Sequence, residues 1–96
     1  MTYDLVLTKR FEDDLDAILD YIINTLCSPA AAKGLYRKIK EQLLSVASFP
    51  NMFPLYGTSE EDRFFTVGNY IVFYSVDDSL KTVYVKAVLY AAMDIK

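Results

Sequence analysis

The side chains of this chain that could do chemistry are aromatic and basic. Four tyrosines, Tyr70, Tyr74, Tyr84 and Tyr90, stand near Arg63, Lys81 and Lys86 in the last third of the sequence. A phenol beside a cation can stack on a nucleobase and contact a phosphate, and it can also simply fill a sheet with its hydroxyl in water. The other inventories are short. With no histidine, Ser-His, Cys-His and His-metal arrangements are excluded, and so is the usual base of neutral pH. The single Cys27 makes no disulfide framework and reads as a small apolar filler. Asp13, Asp14, Asp16 and Asp20 lack the glycine-centred alternation of a calcium loop and form a solvated helix face. Gly34, Gly57 and Gly68 stand alone, so no phosphate-cradling loop is present, and neither metal nor cofactor is expected.

These side chains must be positioned by one small domain spanning residues 1–96. A chain 53% hydrophobic with a net charge of −3 is too apolar and too weakly charged to be disordered. No apolar run reaches the ~18 residues of a membrane span, and the start lacks a basic flank and apolar stretch, so a cytoplasmic location is expected. The sequence pI of about 4.7 argues against strong nucleic-acid binding, which neutralises phosphates with Lys and Arg.

Tyr3 to Leu7 reads as a short strand ending in Thr8, a good helix cap. Phe11, Leu15, Ile18, Leu19, Ile22, Ile23 and Leu26 then recur at three- and four-residue spacings, predicting a helix. Ser28-Pro29 starts a second helix to Ala47, with Ala32, Leu35, Tyr36, Ile39, Leu43, Val46 and Ala47 as its stripe. The tight connection makes an antiparallel helical hairpin. Its halves differ in sign: Arg10 stands against five acids in the first, while Lys33, Arg37, Lys38 and Lys40 oppose Glu41 in the second. Phe49 to Asp62 is a long Pro-containing loop with an acidic tip, a solvated turn. Phe64–Val67, Tyr70–Val76 and Thr82–Leu89 are rich in β-branched and aromatic residues, joined by Gly68-Asn69 and Asp77-Asp78-Ser79. The fold class is α+β: an N-terminal strand, a helical hairpin and a three-stranded antiparallel meander, with the helices on one face of a four-stranded sheet. By alternation Val72, Tyr74 and Val76 face the helices, while Ile71, Phe73 and Ser75 face the other way.

The segment Arg63-Phe64-Phe65-Thr66-Val67-Gly68-Asn69-Tyr70-Ile71-Val72-Phe73-Tyr74 resembles the RelE/ParE superfamily of type II toxin–antitoxin toxins. The shared features are an Arg opening the second strand, a Gly-Asn turn, and Tyr-x-φ-φ-Tyr on the third. The ending Val88-Leu89-Tyr90 followed three residues later by Asp94 is similar to the family's φ-φ-His-x-x-x-Asp. The resemblance covers nearly the whole chain and implies a small toxin neutralised by a cognate antitoxin that wraps the sheet and helices. RelE-like members cleave mRNA on the ribosome without a metal; ParE-like members inhibit DNA gyrase. Transferred residue by residue, it gives Arg63, Tyr90 and Lys86 around the open sheet face as catalytic candidates. Tyr70, Ile71, Phe73, Tyr84 and Asp94 are the binding candidates. Where nucleases of the family carry cations, this chain has Ile71 and Ala91-Ala92-Met93. That apolar substitution favours protein binding in the ParE-like manner, with an atypical ribonuclease or a non-toxic protein-binding relative as the alternatives.

Overall fold

The computed structural model describes residues 2–91. Strand β1 (Asp4–Leu7) leads into helix α1 (Lys9–Asp20), whose first turn is closed by Thr8. The Thr8 hydroxyl oxygen accepts from the Phe11 amide at 3.2 Å and its proton reaches the Val85 carbonyl at 2.8 Å, fixing the cap to the sheet. From Tyr21 to Thr25 the helix relaxes into a π-helical turn, with the Leu26 amide donating to the Tyr21 carbonyl. The extra residue in that turn rotates the expected apolar stripe out of register. Ile22 is buried, whereas Ile23 and Leu26 are exposed. Cys27 then takes a left-handed φ of 53°, and the Ser28 amide closes back on the Ile22 carbonyl.

Helix α2 (Pro29–Ser48) follows with Pro29 in its first turn; the Ser28 side chain makes no capping bond. Its stripe packs as the spacing predicts except at Tyr36, which is half exposed. Strands β2 (Arg63–Val67), β3 (Tyr70–Asp77) and β4 (Thr82–Tyr90) form the antiparallel meander. β1 adds to β4 in parallel, giving a mixed sheet in the order β1-β4-β3-β2. Gly68, at a φ of 58°, makes the two-residue β2–β3 turn possible. At the β3–β4 turn the Asp77 carboxylate accepts from the Ser79 hydroxyl and from the Ser79 and Leu80 amides. Those donors, the Ser79 hydroxyl foremost, hold its carboxyl below the usual range.

Both helices lie on one face of the sheet. Val72, Tyr74, Val83 and Val85 are wholly buried beneath them, with Phe11, Ile39 and Val46 packed from above. The face assigned to Val72 and Tyr74 from alternation is therefore the observed one. One irregularity breaks the alternation on β4. Phe73 pairs with Ala87 but Tyr74 pairs with Val85, so Lys86 is the unpaired residue of a β-bulge.

Candidate functional site: the open sheet face and the loop that clips it

The sheet face away from the helices presents Phe64, Ile71, Phe73, Tyr84 and Leu89, all half-buried. The register places them together: Phe64 lies opposite Phe73, Ile71 opposite Leu89, and Tyr84 opposite Ser75. The loop of residues 49–62 straddles the β2 edge and touches both faces. On the helix side Phe53 packs on Phe65, with ring centroids 5.1 Å apart. On the open side Tyr56 sets its ring edge-on against Phe73 at 4.9 Å and Phe64 at 5.4 Å. Tyr56 was not among the candidates read from the sequence. No local spacing points to it, because its partners lie 8 and 17 residues downstream.

The three residues expected to act together are kept apart. Arg63 pairs with Tyr74, so its side chain leaves the sheet on the helix side, where it donates to the Phe53 carbonyl at 2.6 Å. Tyr90 pairs with Tyr70, also on the helix side, but four residues further along β3, about 13 Å away. Lys86 alone belongs to the open face, where its ammonium lies 2.7 Å from Asp62 and 3.9 Å from Glu61. The placement of Arg63 and Tyr90 around the open face is thus corrected by the strand register. Of the binding candidates, Ile71, Phe73 and Tyr84 do share that face. Tyr70 stacks on Tyr90 across the sheet, with centroids 5.4 Å apart, and Asp94 lies outside the described residues.

Electrostatics add little reactivity. Burial, reinforced by the neighbouring Tyr90 and Tyr21 phenols, raises the Tyr70 hydroxyl above the ordinary phenol value. Burial likewise raises Tyr74, whose hydroxyl donates to the Pro50 carbonyl at 2.8 Å and pins the loop's start. Both phenols stay neutral donors at physiological pH. Among the described residues no group of three His, Cys, Asp or Glu side chains could hold a metal ion. No helix there is long and apolar enough to cross a membrane.

The helix pair packed on a mixed four-stranded sheet agrees with comparison to known proteins. The ParE toxin family of type II toxin–antitoxin systems, parDE, matches residues 5–95. The chain belongs to that family. Among solved structures, the chromosomal ParDE toxin–antitoxin system of P. aeruginosa is similar at 21% identity and a TM-score of 0.74, over 91% of this chain and 94% of that one. The toxin–antitoxin complex RelBE2 of Mycobacterium tuberculosis is similar at 18% identity and a TM-score of 0.61, covering 94% and 99%. A free-state mutant of the E. coli toxin RelE reaches 16% and 0.70 over the full length of both chains. No curated protein sequence matches significantly. As a ParE-family toxin component, the chain keeps the RelE/ParE architecture expected from its sequence.

Proposed function

We propose that this toxin arrests growth by binding a protein, DNA gyrase in the ParE-like manner, and is released from arrest by a cognate antitoxin. The observation that carries the reading is the chemistry of the open face. A ribonuclease must stabilise a dianionic phosphorane with positioned cations. Here the face is built of Phe64, Ile71, Phe73, Leu89 and Tyr56, and its lysine is already paired with Asp62. An apolar face of this kind gains by excluding water against another protein.

The antitoxin is best accommodated at the other edge of the sheet. The Asp4 and Thr8 amides donate inward to Lys81 and Val85 of the β4 side, so by alternation the Leu5 and Leu7 amides point outward. Beside that edge runs an apolar groove of about 260 Å³ lined by Leu7, Tyr36, Leu43 and Leu44, with Lys40 at its rim. An extended segment of an antitoxin can add to β1 and place alternate apolar side chains in the groove.

Regulated expression with and without the neighbouring reading frame, followed by mapping of mRNA 5′ ends, tests the reading. Purified toxin in a gyrase supercoiling assay completes it. The expected result is arrest with intact mRNA and inhibited supercoiling, relieved by the antitoxin. Codon-positioned mRNA cuts abolished by Tyr90→Phe and Lys86→Ala would establish the RelE-like ribonuclease instead. Absence of arrest would leave a non-toxic protein-binding relative.

A further inference from the structure

The end of the sheet remote from Arg63 holds a second cleft that neither the open face nor the β1 groove includes. It lies between the end of α1 and the β2–β3 hairpin, and Ala17, Ile18, Tyr21, Leu26, Tyr70 and Tyr90 line it around about 720 Å³. That volume is in the range of real binding sites. The cleft is open to a partner, since Tyr21, Leu26 and Tyr90 are 52%, 55% and 40% exposed. The π-helical turn shapes its mouth: the widened turn carries Tyr21 at one end and delivers Leu26 to the rim.

Two features of the cleft select the charge of what binds there. The first is its aromatic floor. Tyr70 and Tyr90 stand 5.4 Å apart at an angle of 52°, and the Tyr21 phenol is near enough to act on that of Tyr70. Aromatic faces are negative and attract cations, most favourably a planar guanidinium. The second is its wall. On α1 Ala17, Ile18 and Tyr21 face the cleft, and the adjoining row Asp13, Asp16 and Asp20 stands beside it with exposed carboxylates. The two cations of α1 are each tied to an acid of their own helix, Arg10 to Asp14 at 3.4 Å and Lys9 to Asp13 at 3.3 Å, which leaves Asp16 and Asp20 as the net negative charge beside the cleft. Among the described residues that line the cleft there is no Lys or Arg. A phosphate or an acidic peptide would therefore find no cationic partner in the cleft and would meet Asp16 and Asp20 at its flank.

We propose that this cleft docks a basic segment of a partner protein. An arginine or lysine head stacks on Tyr70 and Tyr90, flanked by Tyr21, and a neighbouring apolar side chain rests on Ile18 and Leu26. The inference stands whether or not gyrase is the target, because it is read with the purified toxin alone. Isotope-labelled toxin is titrated with the peptide acetyl-Leu-Arg-Ala-Leu-Arg-amide and with its glutamate counterpart, following backbone amide shifts. Saturable shifts at Ala17, Tyr21, Asn69 and Tyr70 are expected with the arginine peptide, at least tenfold weaker with the glutamate peptide. Tyr90→Leu, at an exposed position that keeps its apolar bulk, weakens the arginine peptide about fivefold by removing one ring face. The double change Asp16→Asn with Asp20→Asn weakens it about twofold to fivefold and reduces its salt dependence. The proposal is overturned if both peptides bind equally, or if the shifts map to the β1 groove. It fails equally if the cleft amides shift with toxin concentration alone, which would make a second copy the occupant.

Discussion

Arg63 opens β2 at a position expected to take part in catalysis, yet the structure gives it a mechanical task, and the two roles separate cleanly in one variant. Its guanidinium donates to the Phe53 carbonyl at 2.6 Å, a half-buried, charge-assisted bond that anchors the loop together with the Tyr74–Pro50 bond and the Lys86 ion pair. Arg63→Met removes the bond, leaves the Phe53 carbonyl without its donor, and keeps most of the aliphatic packing. Hydrogen bonds to charged groups contribute about 1.5–3 kcal/mol, and partial exposure places this one near the lower end, about 1.5–2 kcal/mol. For a domain of this size that lowers Tm by about 6–16 °C. Arg63→Lys restores the charge but not the planar fork, so it recovers only part of the loss. Thermal and urea unfolding measure the cost, and limited proteolysis reports whether cleavage within residues 49–62 accelerates, as release of the loop requires. An unchanged Tm together with abolished growth arrest would refute the reasoning and return Arg63 to a chemical role.

Tyr74→Phe deletes the bond to the Pro50 carbonyl without opening a cavity, and urea denaturation should show a loss of about 1 kcal/mol. The same variant tests pH dependence: the raised folded-state value of Tyr74 means its stabilisation is complete below the ordinary phenol pKa of about 10 and lost as pH rises through the folded value, so Tyr74→Phe should lose less stability than the parent in alkaline unfolding. Ile71→Arg places a cation on the open face opposite Leu89; growth arrest should disappear while the far-UV CD spectrum and Tm stay near the parent, and retained arrest would remove that face from target binding. Cys27→Gly relieves a left-handed residue after the π-helical turn and should raise stability by about 0.5–1 kcal/mol, measured as a shift of the urea midpoint at constant m.

Much of the architecture is legible in local pattern, because each element is decided by its own period. The Thr8 cap, the helix stripes as far as Ile22 in the first and apart from Tyr36 in the second, the Gly68 turn and the face of Val72 and Tyr74 all follow from local residue type and spacing. The failures come where one extra residue changes the phase. The π-helical turn adds a residue to α1, so Ile23 and Leu26, apolar and correctly spaced for a regular helix, turn to solvent. The bulge adds Lys86 to β4, which no alternation within β4 alone reveals. Arg63 is a different case, since its direction was available in principle. Counting back from the Val67–Tyr70 pair across the two-residue turn sets Arg63 opposite Tyr74, already on the helix side. Tyr56 was beyond reach, because its place depends on how a long loop folds over a strand edge.

The two cations among the catalytic candidates, Arg63 and Lys86, are both consumed by that loop. Arg63 holds its middle through Phe53, and Lys86 holds its end through Asp62, while Tyr56 covers the aromatic face between them. A phosphate approaching Lys86 has to displace Asp62 at 2.7 Å and pass Glu61, so it meets carboxylate charge before it meets the lysine. An apolar partner meets no such opposition, because Lys86 is already paired with the loop carboxylates and the aromatic cluster carries no charge of its own. The clip that orders the loop thus also takes Lys86 away from an incoming anion and leaves the apolar side chains as the face's main chemistry, as the proposed protein target requires. Freeing Lys86 by Asp62→Asn and Glu61→Gln leaves that apolar surface intact. Arrest that survives the double change with mRNA still uncut supports a protein target, and arrest that acquires mRNA cleavage shows that the loop carboxylates alone had silenced a nuclease.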